Sequence, residues 1–149
     1  MSLTLLAGNG LAFGAIHVDG RVTASGDGTS WGQAMKTVGE ALTAASADAE
    51  IWVAAGTYVE SVTMKSQVAL YGGFNGTETL LSNRSSAMRL TVIASGSVGA
   101  GFEANRTVYM NDISSATIDG FTITGGWGAT GYTGGISCVN VGNTNTISH

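Results

Sequence analysis

Apolar residues two apart, interrupted by small or polar turn residues, set the rhythm of this chain most clearly between Glu50 and Phe74, EIWVAAGTYVESVTMKSQVALYGGF. Ile51 with Val53, Val62 with Met64 and Val68 with Leu70 are three pairs that each point to one side of an extended segment. Gly56, Lys65-Ser66 and Gly72-Gly73 interrupt the runs where turns are needed. Three strands so close together, with no helix long enough to cross over a sheet, predict a chain winding around its own core.

The same alternation marks a short strand at Ala15–Asp19 and further strands at Leu90–Ala94, Val108–Met110, Ala116–Ile118, Phe121–Ile123 and Ile136–Val141. One helix interrupts this pattern. Ser30-Trp31-Gly32-Gln33 fits a capping box, and Ala34, Met35, Val38, Ala41, Leu42 and Ala45 recur at three and four, predicting a helix up to about Ala47 that covers one end of the core. Thr77–Met88 is polar around Leu80-Leu81 and reads as a loop bulging from the side. Val53, Leu70, Ile93, Ile118 and Cys138 align as anchors of a loose repeat.

Composition narrows the functions. The 149 residues include 23 glycines, no proline and only 11% charged side chains, a turn-rich, β-type balance within one domain. The net charge is -4 and the six basic residues are scattered, so no stripe exists to neutralise phosphates, and nucleic acid is not expected as a partner. No apolar run reaches the roughly 18 residues of a membrane span. Leu3–Ala15 is apolar and glycine-rich, and no lysine or arginine precedes it; an export segment, a first strand and a disordered leader all stay open. A single Cys138 forms no internal disulfide and reads as a small buried hydrophobe. Trp31 and Trp52 are expected to pack around the helix, whereas Trp127 and Tyr132, in the glycine-rich stretch Gly125–Gly135, are candidate ligand-binding aromatics.

Taken in order, I-H-V-D at 16–19, G-D-G-T-S-W at 26–31, I-W-V-A-A-G-T-Y at 51–58, V-A-L-Y-G-G-F at 68–74 and I-D-G-F-T-I-T-G-G at 118–126 resemble the N-terminal portion of right-handed parallel β-helix proteins of the pectate-lyase-like superfamily, of the bacterial secreted or cell-surface type. The resemblance implies an all-β solenoid of about four to five coils with one N-terminal capping α-helix. Residues 1–14 would then be a leader, 15–49 the first strand and cap helix, and 50–149 the coils. It also implies an extracellular or cell-surface location, and a carbohydrate substrate if the chain is an enzyme, with calcium as the one cofactor to consider in a lyase. Arg106, Asp112 and Asp119 are the residues left for such chemistry. Asp112 and Asp119 do not form the clustered pair that hydrolysis needs, both carry turn signals, and no oxygen-rich loop gathers metal ligands.

Ile136–His149 contains neither a helix signal nor a charged strand to cover the last coil. Either the chain is a fragment of a longer protein or this end is buried by self-association; the leading expectation is a non-catalytic, truncated β-helix module that self-associates through it, with Val139, Val141 and Ile147 at the contact. The alternatives are a polysaccharide lyase or hydrolase, and a carbohydrate-binding module.

Overall fold

The computed structural model describes residues 14–95, 106–126, 134–142 and 144–148. Their architecture is strand-rich, with every strand pair parallel and one α-helix. The helix α1 spans Val38–Ala44 and the strands are β1 (Ile16–Val18), β2 (Glu50–Ala54), β3 (Gly56–Val59), β4 (Val62–Thr63), β5 (Ala69–Phe74), β6 (Thr91–Ala94), β7 (Val108–Asn111), β8 (Thr117–Asp119), β9 (Thr122–Thr124), β10 (Ile136–Val139) and β11 (Thr146–Ser148). They form a five-stranded sheet in the order β1-β2-β5-β8-β11 and two three-stranded sheets, β3-β6-β9 and β4-β7-β10. From β2 onward the chain visits the three sheets in a fixed rotation.

Parallel register stacks like on like. Ile16, Ile51, Leu70, Ile118 and Ile147 form one column. Tyr58, Ile93 and Ile123 form a second, and Val62, Val108 and Ile136 a third. Ile51, Leu70, Ile93 and Val108 have no exposed surface, so the three columns converge on one core. Each buried aliphatic side chain stabilises the fold by about 1.5–3 kcal/mol relative to exposure.

The corners between sheets follow a rule of their own. Asp48, Gln67 and Ser115 each adopt a left-handed conformation two residues before a strand of the five-stranded sheet. The turns are joined by backbone hydrogen bonds, the Asp48 amide donating to the Gln67 carbonyl and the Gln67 amide to the Ser114 carbonyl. A non-glycine residue in that region is uncommon, and three in equivalent places show the turn recurring with the strands.

Several sequence expectations are corrected. The helix begins at Val38 rather than Ala34, and its capping box is Thr37 with Glu40, because Thr37 Oγ1 accepts from the Glu40 amide at 3.2 Å and the Glu40 carboxylate from the Thr37 amide at 3.1 Å. Trp31–Gln33 is a single 3-10 turn with no bond from the Ser30 side chain, while Met35 bridges to Val18 as extended backbone. Four strands, not three, lie between Glu50 and Phe74. Gly72-Gly73 is not a turn but a bulge inside β5, where the register with β2 shifts. A Cβ on Gly72 would stand 2.5 Å from the Gly120 carbonyl oxygen, so that strand can pass only without a side chain. The proposed anchors mix all three sheets: Leu70 and Ile118 share a column, but Ile93 and Cys138 belong to the other two sheets. Cys138 is exposed rather than buried. No helix among the described residues is long and apolar enough to cross a membrane.

Candidate functional site

The residues singled out for catalysis occupy separate places. Arg106 lies half-buried just before β7, its guanidinium 4.4 Å from the centre of the Tyr109 ring. Asp112 follows β7 in a left-handed turn and accepts from Asn111 Nδ2 at 2.8 Å. Asp119 ends β8 in another sheet and pairs with Arg84 at 3.0 Å; Arg84 also donates to the Gly72 carbonyl and lies over the Tyr71 ring. The two carboxylates thus face different partners, whereas an acid–base pair must share a site. Trp127 and Tyr132 lie outside the described residues. Among the described residues no three His, Cys, Asp or Glu side chains gather as metal ligands. Asp27 is taken up by the amide and hydroxyl of Thr29, which hold its carboxyl below the ordinary value.

An aromatic cluster stands on the outer side of the first strands. Trp52 stacks on Phe74 with centroids 4.8 Å apart, and the His17 ring meets Trp31 and Trp52 edge-on at 4.6 and 5.7 Å. Both indole N–H groups are used internally, Trp31 on the Glu78 carbonyl at 2.8 Å and Trp52 on the Glu50 carboxylate at 2.9 Å. His17 Nδ1 lies 3.0 Å from the Gly28 carbonyl, which only accepts, so in the neutral ring Nδ1 carries the hydrogen and Nε2 is the acceptor. The rings of His17, Trp31 and Trp52, with Ala15 and Thr79, line a cleft of about 340 Å³. It offers aromatic ring faces beside the polar residues Thr29, Ser30 and Thr79.

Glu78 was not foreseen, and it organises the side loop. Its side chain is nearly buried and accepts from the amides of Asn75, Gly76 and Thr77 and from Arg89. Burial alone would raise its carboxyl, but the amides of Asn75 and Thr77 and the charge of Arg89 outweigh that and leave it below the ordinary value. The available signal was a lone acid just after Asn75-Gly76, where a tight turn presents several amides at once.

The two ends of the core differ. At the first end α1 lies over β1, β2 and β4, with Val38, Ala41 and Leu42 buried. Glu60, just past β3, accepts from the first two helix amides, Val38 at 2.9 Å and Gly39 at 2.8 Å. Tyr58 donates its hydroxyl to the Ala54 carbonyl and accepts from the Gly20 amide, and burial pushes its pKa up to about 12.

At the other end β9, β10 and β11 are the outermost strands of their sheets. Ile147 continues the column of Leu70 and Ile118 yet is 52% exposed, against 0% and 2%. Cys138 stands in line with the fully buried Met110, its thiol 3.7 Å from that sulfur, and is exposed only because β10 is an edge. Of the three expected contact residues, Ile147 closes a core column and Val141 packs partly buried against the core. Val139 is beside Asn111, on the opposite face of β10 from Ile136 and Cys138. The expectation did not include Ile123 and Ile136, the other two column ends. Asn145 fixes the turn into β11, donating to the Ile113 and Gly142 carbonyls and accepting from Ala116.

The chain matches no family model, no curated protein and no solved structure.

Proposed function

We propose that the chain is a right-handed parallel β-helix module of the pectate-lyase-like type, a non-catalytic structural or binding unit of a secreted or cell-surface protein, which self-associates through the end formed by β9, β10 and β11. The observation that carries the reading is the unfinished core column: Leu70 is fully buried, Ile147 half-exposed, in one register. Parallel sheets entered in rotation support the winding, and parallel crossovers are almost always right-handed. Three edge strands, one in each sheet, present backbone groups that a further set of strands would pair with. A second copy fits the charge: Ile136–Ser148 contains no Asp, Glu, Lys, Arg or His, so the surface does not repel itself. Sedimentation equilibrium over a wide concentration range tests this. The expected result is a reversible oligomer, and Ile147→Lys is expected to give a monomer with unchanged circular dichroism. A wild-type chain that stays monomeric at every concentration overturns the reading.

A second reading, carbohydrate binding without chemistry, rests on the cleft beside His17, Trp31 and Trp52. Aromatic faces beside polar side chains suit a sugar ring. It requires the tryptophan fluorescence to change with at least one member of a glycan panel, and it fails if none produces a change that His17→Ala reduces.

A further inference from the structure

Resting on the self-association proposed above, we infer its symmetry: two copies meet end to end about a two-fold axis through β10, so that β10 pairs antiparallel with its own copy and β9 of one protomer pairs with β11 of its partner.

Three observations lead there. Head-to-tail stacking would need free strand edges in all three sheets at the other end, but there β1 lies beyond β2 with its own outer edge bonded to Gly28 and Met35, and α1 packs over β4. The open end therefore meets a copy of itself, which is the isologous, self-closing arrangement. Next, that end is a ramp. The chain gains one strand spacing, about 4.8 Å, on each return to the five-stranded sheet. Strands β9, β10 and β11 follow one another through the three sheets, so β9 is lowest, β10 intermediate and β11 highest. Two such ramps fit without a gap only if the high step of each faces the low step of the other and the middle steps face each other. A two-fold axis through β10 does this, and axes through β9 or β11 leave steps unmatched.

Finally, the strands brought together match. β9 is Thr122-Ile123-Thr124 and β11 is Thr146-Ile147-Ser148, each three residues with a central isoleucine in a core column. Antiparallel pairing sets Ile123 against the partner's Ile147, continuing the core across the junction, with Thr124 beside the partner's Thr146. Residues opposed across antiparallel strands share a face. Cys138 therefore meets the inward-facing Ile136 or Cys138 of the partner subunit, and its exposed thiol is covered.

The experiment uses the 149-residue chain with Cys138→Ser. One preparation carries Thr124→Cys, another Thr146→Cys, both exposed positions whose change leaves the core untouched. Each is treated with a short bis-maleimide, alone and after mixing, with mass measured in parallel. The expected result is a covalent pair in the mixture alone, together with a mass of two chains. An oligomer without the mixed cross-link, a cross-link in either preparation alone, or a mass that grows without limit overturns the symmetry while self-association stands. A monomer throughout overturns the self-association beneath it. In the unaltered chain, Cys138 should react with a soluble maleimide more slowly as concentration rises, and a rate independent of concentration contradicts the covered thiol.

Discussion

Follow the column through Ile51, Leu70 and Ile118 in both directions and two different solutions to the same problem appear. Toward the first strands it runs beneath α1, a short helix that could not stand alone at seven residues. Polar latches hold that helix: the Thr37–Glu40 capping box, Glu60 on its first amides, and Lys65 on the Ala45 carbonyl at its far end. Toward the last strands the column ends in Ile147 with no ionisable group from Ile136 to Ser148 except the Cys138 thiol. A closed end needs charge to fix its lid, whereas an end that meets its own copy is better without charge, since every charge would face itself.

The largest expected effect lies midway, where the two ends share one core. Leu70→Ala removes a fully buried side chain with neighbours on both sides and should cost about 2–5 kcal/mol. Urea unfolding measures it. A cost under about 1 kcal/mol would mean that the column is not the continuous core described.

Next comes the lid. Glu60→Gln keeps the shape but weakens two charge-assisted hydrogen bonds to the start of α1, an expected loss of about 1–2 kcal/mol. Hydrogen exchange at the Val38 and Gly39 amides should accelerate while β10 and β11 keep their rates. Equal acceleration at both ends would erase the contrast between a latched end and an unlatched one.

Acid sharpens the contrast by a smaller amount. Asp19 is held below its ordinary value chiefly by its hydrogen bonds from Arg21, at 2.8 Å on each oxygen, and Glu78 lies below its own for the reasons given above. A carboxyl depressed on folding contributes stability that is fully present above its unfolded value, about 4, and is lost as pH falls through the lower folded value. The urea midpoint should therefore fall on acidification below about pH 4. Asp19→Asn and Glu78→Gln should each flatten that fall, whereas Cys138→Ser at the open end should leave the slope unchanged. A slope insensitive to both carboxylate substitutions would count against these groups.

How much of this the sequence disclosed depends on the kind of signal. Strands with period-two apolar pairs, such as Ile51–Val53 and Val108–Met110, were legible because alternation is local. The helix was legible by its face, Val38, Ala41 and Leu42, but not by its start: Ser30 to Gln33 has the letters of a capping box, and the backbone there pairs instead with neighbouring segments, Gly28 donating to the Gln33 carbonyl and Met35 to the His17 carbonyl. Stacking was not legible, since aligned positions fall at 16, 51, 70, 118 and 147, an irregular series set by insertions at the corners. β11 was missed because Thr146-Ile147-Ser148 holds a single apolar residue, and its strand character comes from pairing with β8. Ile147 was nevertheless expected at a contact, as an apolar side chain in a segment with neither a helix signal nor a charged strand.

The smallest effect in isolation bears on whether the open end stays open. Ile147→Ala trims a side chain that is already 52% exposed, so in dilute solution it should cost no more than about 1 kcal/mol, well below Leu70→Ala in the same column. In the proposed associated state the same side chain would be buried against the partner's Ile123, and the difference between wild type and variant should grow with protein concentration, because binding to the folded form adds stability by mass action. Thermal unfolding of both proteins at a low and a high concentration measures it: the wild-type Tm should rise with concentration and that of Ile147→Ala should rise less. Two parallel, concentration-independent values would place Ile147 in solvent, and the contrast between the ends would then be one of exposure alone.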